Sequence, residues 1–463
     1  MPTSESKTFD SIIIGAGQAG PTLASRLTQS GRNIAFIERK LFGGTCVNNG
    51  CTPTKALVAS AYAAQKARTG ATYGINVPGP VSVDMKAVKA RKDQIVLKSR
   101  NGLETWLRGM KNCTVFTGHA QFESRNQVRI GNDVLTAKEI FINVGGRAVV
   151  PDFPGIDTVP WLNNVGILEL ESLPRHLVVV GGSYVGLEFA QIFRRFGSEV
   201  TVIEKSSRLV SREDQDVSAS VKAFLEKEGI TVRLNAECIH LHSHGDNVAV
   251  GVRCDDDSSD SLGSHVLLAV GRRPNTDDLG LDKAGIAHDH HGYITVDDQL
   301  RTSVEGIYAL GDCNGRGAFT HTAYNDYEIV AENLLDGASR RLSDRILCYG
   351  LYTDPPLGRI GMTEAEVRAS GRAALIGTRP MTRVSRALEK GESLGFMKIL
   401  VDAETKQILG ASLLGVGCDE AIHSLLDIMY ARAPYTTITH AVHIHPTVSE
   451  LLPTVLEDLK PLQ

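Results

Sequence analysis

Two short apolar runs set the pattern of this chain. Residues 10–14 (Asp10-Ser11-Ile12-Ile13-Ile14) and 177–180 (Leu177-Val178-Val179-Val180) lack polar alternation, as strands of a parallel sheet covered on both faces do. Each ends in a glycine-rich turn and passes into a stretch of helical periodicity. Each then reaches a second apolar run closed by an acid, Ala35-Phe36-Ile37-Glu38 and Thr201-Val202-Ile203-Glu204. The pattern predicts two βαβ units. Between about 80 and 110, charged and apolar residues recur at helical spacing, which predicts a helical excursion. The acidic run Asp255–Asp260 reads as an exposed hairpin loop. Beyond about 345 the glycine turns stop, and strand and helix patterns continue to a His/Pro/Glu segment.

The turns carry the first candidate chemistry. Gly15-Ala16-Gly17-Gln18-Ala19-Gly20 fits G-x-G-x-x-G. Gly15 allows the tight turn, Gly17 the approach of backbone to a pyrophosphate, and Gly20 close packing of helix on strand. Glu38 stands where a ribose hydroxyl is held. Gly181-Gly182-Ser183-Tyr184-Val185-Gly186 is a second copy, with Ser183 in the place of the middle glycine and Glu204 as its acid. An acid there favours a free 2′-hydroxyl and hence NAD, while Lys205 and Arg208 leave NADP open.

Composition narrows the remaining classes. The 463 residues allow several domains, and 42% hydrophobic with 22% charged residues is ordinary globular usage. Net charge is -4 and no basic stripe exists, so nucleic acid is not an expected partner. No apolar run approaches the roughly 20 residues of a membrane span, and Met1–Asp10 shows no export signal, so a cytoplasmic enzyme is expected. No metal site is expected.

Of eight cysteines only Cys46 and Cys51 form a local pair. In a reducing compartment such a pair points to catalysis. Residues five apart in a regular helix have Cα atoms about 8.7 Å apart, and a disulfide tolerates about 7 Å at most. The segment must therefore leave helical geometry, and Asn48-Asn49-Gly50 is suited to that. Pro53 and the run from Ala56 predict a helix beginning near Cys51, whose N-terminus favours a thiolate. Lys55 lies one turn further on the same face. Near the C-terminus, Glu450 is spaced to orient His445 as a base for a thiol proton, although either His443 or His445 alone could be a ligand or core residue.

Together these residues resemble the class I pyridine nucleotide-disulfide oxidoreductases. The resemblance rests on Gly15–Gly20, Gly43-Gly44-Thr45-Cys46…Gly50-Cys51…Pro53-Thr54-Lys55, Gly181–Glu188, Gly271-Arg272-Arg273-Pro274-Asn275, Ile307–Asp312 and His445-Pro446-Thr447…Ser449-Glu450. It implies FAD, a redox-active Cys46–Cys51 disulfide, Cys46 as the interchange thiol and Cys51 as the thiol against the flavin. Lys55 and Glu188 would pair beside the flavin, and Asp312 would hold its ribityl chain. Thr45, Gly44, Ala120 and Gly311 would line the flavin, with Gly271 among the cofactor positions. His445, oriented by Glu450, would serve the other subunit of a homodimer.

The implied fold is α/β, with two Rossmann-type domains and an α+β dimerisation domain. Its expected limits are 1–151 and 275–345 for FAD, 152–274 for NAD(P) and 346–463 for dimerisation. Phe319-Thr320-His321 and Pro355-Pro356-Leu357-Gly358-Arg359 are similar to the mercuric and reactive-chlorine-resistance copper reductase branch. The end Lys460–Gln463 lacks the cysteine pair of mercuric reductases, and Asn143-Val144-Gly145-Gly146 replaces the usual Ala-Thr-Gly. A disulfide or a thiophilic metal ion is the expected acceptor. Dihydrolipoamide dehydrogenase is the alternative, and a redox-sensing nucleotide-binding protein is the rival of another class.

Overall fold

The computed structural model describes residues 6–245, 247–253 and 260–462. The loop expected at 255–260 lies, apart from Asp260, outside them. The chain divides into two compact units, each built from separated segments: 1–56, 89–150 and 271–345 in the first, 57–88, 151–270 and 346–463 in the second.

In the first unit the run of isoleucines becomes the strand Ser11–Ile14, buried throughout, at the centre of a five-stranded parallel sheet. Its neighbours are Ile34–Glu38 on one side and Glu139–Ile142 on the other, with Cys113–Thr117 and Ile307–Ala309 outermost. The helix Ala19–Gln29 buries Leu23, Ala24 and Leu27. Burial on both faces explains why these strands show no alternation. A second sheet brings in Ala120–Ser124, where Ala120 is buried. The expected helical excursion is the 25-residue helix Met85–Gly109.

The second unit repeats the design. The parallel strands Thr231–Arg233, Glu199–Ile203, His176–Val180 and His265–Leu268 lie side by side in that order. The helix Tyr184–Phe196 follows the second glycine turn. The C-terminal part of this unit is an antiparallel six-stranded sheet, with the helix Cys418–Tyr430 packed in its apolar core. Two Rossmann-like sheets and an α+β segment thus match the expected fold class.

Candidate active site

The two glycine turns are built alike. Gly15 N–H donates to Ile37 O and Gly181 N–H to Ile203 O, both at 2.8 Å. Glu38 accepts from Ala16 N and Lys40 N at 2.8 Å each, and Glu204 accepts from Gly182 N at 2.6 Å and Ser206 N at 2.8 Å. Each acid therefore holds the peptide that leads into the helix, 22 residues upstream in both copies. A Cβ on Gly20 would lie 2.5 Å from Gly15 O, and one on Gly186 would lie 2.1 Å from Gly181 O. Both cradles need the bare backbone, which fits two dinucleotides. Arg208 turns its guanidinium onto Ser211 O at 2.9 Å.

The cysteine helix docks on the first turn. Gly43 N–H donates to Ala16 O at 2.9 Å, and a Cβ on Gly44 would stand 2.9 Å from Gly17 Cα. The helix runs Gly44–Asn49 and a new one, Cys51–Arg68, starts at the second cysteine. The expected departure from helical geometry within Asn48-Asn49-Gly50 falls at Gly50, at φ -133 and ψ -117, while Asn48 and Asn49 stay helical. The asparagine amide instead ties the helix down, because Asn48 Nδ2 donates to Phe42 O and Gly44 O at 2.9 Å each. Gly50 is required there, since a Cβ would come 2.8 Å from Thr45 O.

That single break brings the two side chains into contact. Both cysteines are thiols in this structure. The hydrogen bond with Cys51, then burial, then the charge of Cys51 push the Cys46 thiol above its ordinary range; Thr320 and Lys55 oppose this. Cys46 is thereby held toward its protonated form beside the second sulfur. Thr320 Oγ1 lies 3.3 Å from Cys51 Sγ. It is the first residue of the helix Thr320–Leu335, whose N-terminus favours an anion.

Several residues here were not singled out by sequence. Arg272 Nη2 donates to Gly146 O at 2.5 Å and reaches Thr45 Oγ1 at 3.4 Å and Asp312 Oδ2 at 3.5 Å. Burial raises the Asp312 carboxyl above its usual range and Arg272 opposes that. Asp326, 2% exposed, accepts from Gly311 N at 2.7 Å and Asn314 Nδ2 at 2.9 Å and pairs with Arg345. It fixes the strap that bears Asp312. Gly271, at φ +130, accepts at its carbonyl from Val149 N. For Arg272 and Thr320 the signal was present as motif letters without a role; for Asp326 there was none.

In the second unit, His445 Nδ1 meets Glu450 Oε1 at 3.1 Å and Oε2 at 3.0 Å. The imidazole is 74% exposed and the carboxylate 14%, so a half-buried carboxylate orients an exposed ring. Val442 and Ile444 beside it are 100% and 80% exposed. Glu188 is buried and accepts from Tyr352 N at 3.0 Å, next to the C-terminal sheet. No helix among the described residues is long and apolar enough to cross a membrane.

Comparison with known proteins agrees with this geometry. Residues 9–326 match the pyridine nucleotide-disulphide oxidoreductase family and residues 348–456 its dimerisation domain. A probable pyridine nucleotide-disulfide oxidoreductase RclA of Escherichia coli (strain K12) is 36% identical over 452 residues, covering 96% of this chain and 98% of the relative. A dihydrolipoyl dehydrogenase of Cupriavidus necator is 34% identical over 464 residues, covering 96% and 97%. The solved Cu(II) complex of the HOCl-induced flavoprotein disulfide reductase RclA from Escherichia coli superposes with a TM-score of 0.88 at 36% identity, over 97% of this chain and 99% of that one. The chain belongs to the pyridine nucleotide-disulphide oxidoreductase family, whose members use FAD and NAD(P)H.

Proposed function

We propose that this chain is an NAD(P)H-dependent reductase that delivers electrons through Cys46 and Cys51 to a thiophilic metal ion, with Cu(II) as the favoured acceptor. The observation that carries the reading is the contact of the two cysteines at a helix N-terminus under the Thr320 hydroxyl. The likeness to a reductase solved with Cu(II) supports the choice of acceptor. Glu38 and the Gly15–Gly20 turn hold FAD, and Glu204 with the second turn holds the pyridine nucleotide, NAD in preference to NADP.

FAD, when bound, supplies the relay between a two-electron hydride donor and the sulfur pair. In the dithiol state Cys51 carries the negative charge and Cys46 the proton. Removal of that proton makes Cys46 the soft nucleophile or ligand. Two Cu(II) ions then take one electron each, leaving two Cu(I) and a Cys46–Cys51 disulfide, and one NAD(P)H restores the dithiol. With a substrate disulfide, Cys46 attacks one sulfur, and Cys51 displaces it to release the substrate dithiol.

His445, held by Glu450, is the base for the Cys46 proton. It serves the pair of a second copy, and the uncovered Val442 and Ile444 flanking His443 are the apolar part of that dimer contact. Lys55 steadies negative charge near the sulfurs, and Glu188, Asp312 and Ala120 keep their inferred places in cofactor binding. We take the cytosol as its compartment, where a local cysteine pair is kept reduced between turnovers.

The 34% likeness to a dihydrolipoyl dehydrogenase makes lipoamide the competing acceptor. Steady-state assays with NADH and NADPH against Cu(II), Hg(II), lipoamide and oxidised glutathione separate the two. Cu(II) reduction lost in Cys46→Ser, with the thiolate–flavin absorbance retained, is the expected result. Cu(II) turnover kept at the parent rate in Cys46→Ser would refute the route.

A further inference from the structure

The two glycine turns of this chain provide an internal comparison that singles out Asn143. After each first-turn strand, the neighbouring strand adds one more bond to the ladder: Asn143 N–H donates to Ile14 O and Ala269 N–H to Val180 O, both at 2.8 Å. The two positions are equivalent, yet one bears a carboxamide and the other a methyl. The carboxamide is buried, and its Nδ2 donates to Gly15 O at 3.2 Å. The Gly15–Ala16 peptide is thus held at both ends, its carbonyl by Asn143 and its N–H by Glu38. The Gly181–Gly182 peptide is held by Glu204 through its N–H, and Ala269 has no amide to offer its carbonyl.

The amide also sets which residues the turn tolerates. A Cβ on Gly17 would stand 3.2 Å from Asn143 Nδ2, one on Gly20 3.1 Å from it, and one on Gly311 3.3 Å from Asn143 Oδ1. The side chain occupies a slot bordered by three glycines, two in the pyrophosphate turn and one in the strap that bears Asp312. In the second copy Ser183 takes the place of Gly17 and is exposed at the start of its helix. Asn143 with Gly17, and Ala269 with Ser183, are the two matched solutions.

We propose that Asn143 is a positioning residue of the flavin cradle. It locks the plane of the Gly15–Ala16 peptide and packs the turn against Gly311, and so tightens FAD without affecting the pyridine nucleotide. The identity of the cofactor rests on the family assignment; the role of Asn143 rests on the geometry of this chain.

The test strips FAD from the purified protein and retitrates it by flavin fluorescence, with NADH and NADPH titrated in parallel. Asn143→Ala, which installs the residue of the second copy, should raise the FAD dissociation constant about tenfold, the loss of one buried hydrogen bond. Both nicotinamide nucleotides should stay within about twofold by the same reasoning. Asn143→Asp keeps the shape but cannot donate to Gly15 O, so it should weaken FAD at least as much. In the double variant, Asn143→Ala should recover part of the FAD affinity lost in Gly17→Ser, a coupling that a general loss of stability does not produce. FAD binding unchanged in both Asn143 variants, or equal weakening of all nucleotides, would overturn the proposal. Failure of the parent chain to bind FAD would strike the cofactor assignment, and the proposal with it.

Discussion

The duplicated turns make a sharp test of which site holds which nucleotide. Gly20→Ala and Gly186→Ala each add one methyl where the helix crosses its glycine turn. The new Cβ lies 2.5 Å from Gly15 O in the first case and 2.1 Å from Gly181 O in the second. Ordinary contact begins near 3.4 Å, so the overlaps are about 0.9 and 1.3 Å, against backbone atoms that cannot rotate away. Overpacking of this kind costs roughly 1–3 kcal/mol. If the strain falls on the turn that receives the pyrophosphate, binding weakens between about fivefold and about 150-fold. Gly20→Ala should weaken FAD and spare NAD(P)H; Gly186→Ala should do the reverse, with the larger effect because its overlap is larger. Titration of each variant with both cofactors by fluorescence reads this directly. Loss of both nucleotides in either variant, or a smaller effect at Gly186, would refute the reasoning.

Other consequences are simpler to state. Thr320→Val removes the hydroxyl 3.3 Å from Cys51 Sγ and should lower the thiolate–flavin absorbance at neutral pH, by up to about tenfold in the thiol–thiolate equilibrium; an unchanged absorbance-against-pH curve would count against the assignment. Glu450→Gln should lower kcat about ten- to a hundredfold while anaerobic reduction by NADH stays at its parent rate, since only thiol proton transfer uses His445; stopped-flow absorbance separates the steps. Lys398, 1% exposed, lies 3.0 Å from Asp214, 2.8 Å from Asp216 and 3.2 Å from Glu364. Lys398→Met should destabilise folding by about 3 kcal/mol, because it takes a buried charge partner from the buried Asp214 carboxylate. Burial works against the Asp214 and Glu364 carboxylates, yet their hydrogen bonds and the charge of Lys398 hold both below the ordinary range. Their contribution is present above the unfolded carboxylate range and is lost as pH falls below about 4. The parent should therefore lose urea stability on acidification, and Lys398→Met should lose less of it.

Much of this protein was legible from local order along the chain. The β-branched runs, the glycine turns and the acids that follow them are short-range signals, and the structure turns each into a strand, a turn and a carboxylate on the backbone of that turn. The Cys46–Cys51 spacing required a break in the helix, and one occurs, although at Gly50 alone. His445 and Glu450, five residues apart, meet as expected. Tertiary structure alone decided what surrounds these groups. Thr320 reaches Cys51 across 269 residues of sequence, and Arg272 reaches Thr45 across 227. Asn143 stood out as a departure from the family pattern, but its bond to Gly15 depends on two strands lying side by side. Hydrophobic period and turn chemistry act over a few residues and can be read in order. The contacts that set sulfur charge and hold a cofactor turn arise only after separated strands have paired, which no local pattern encodes.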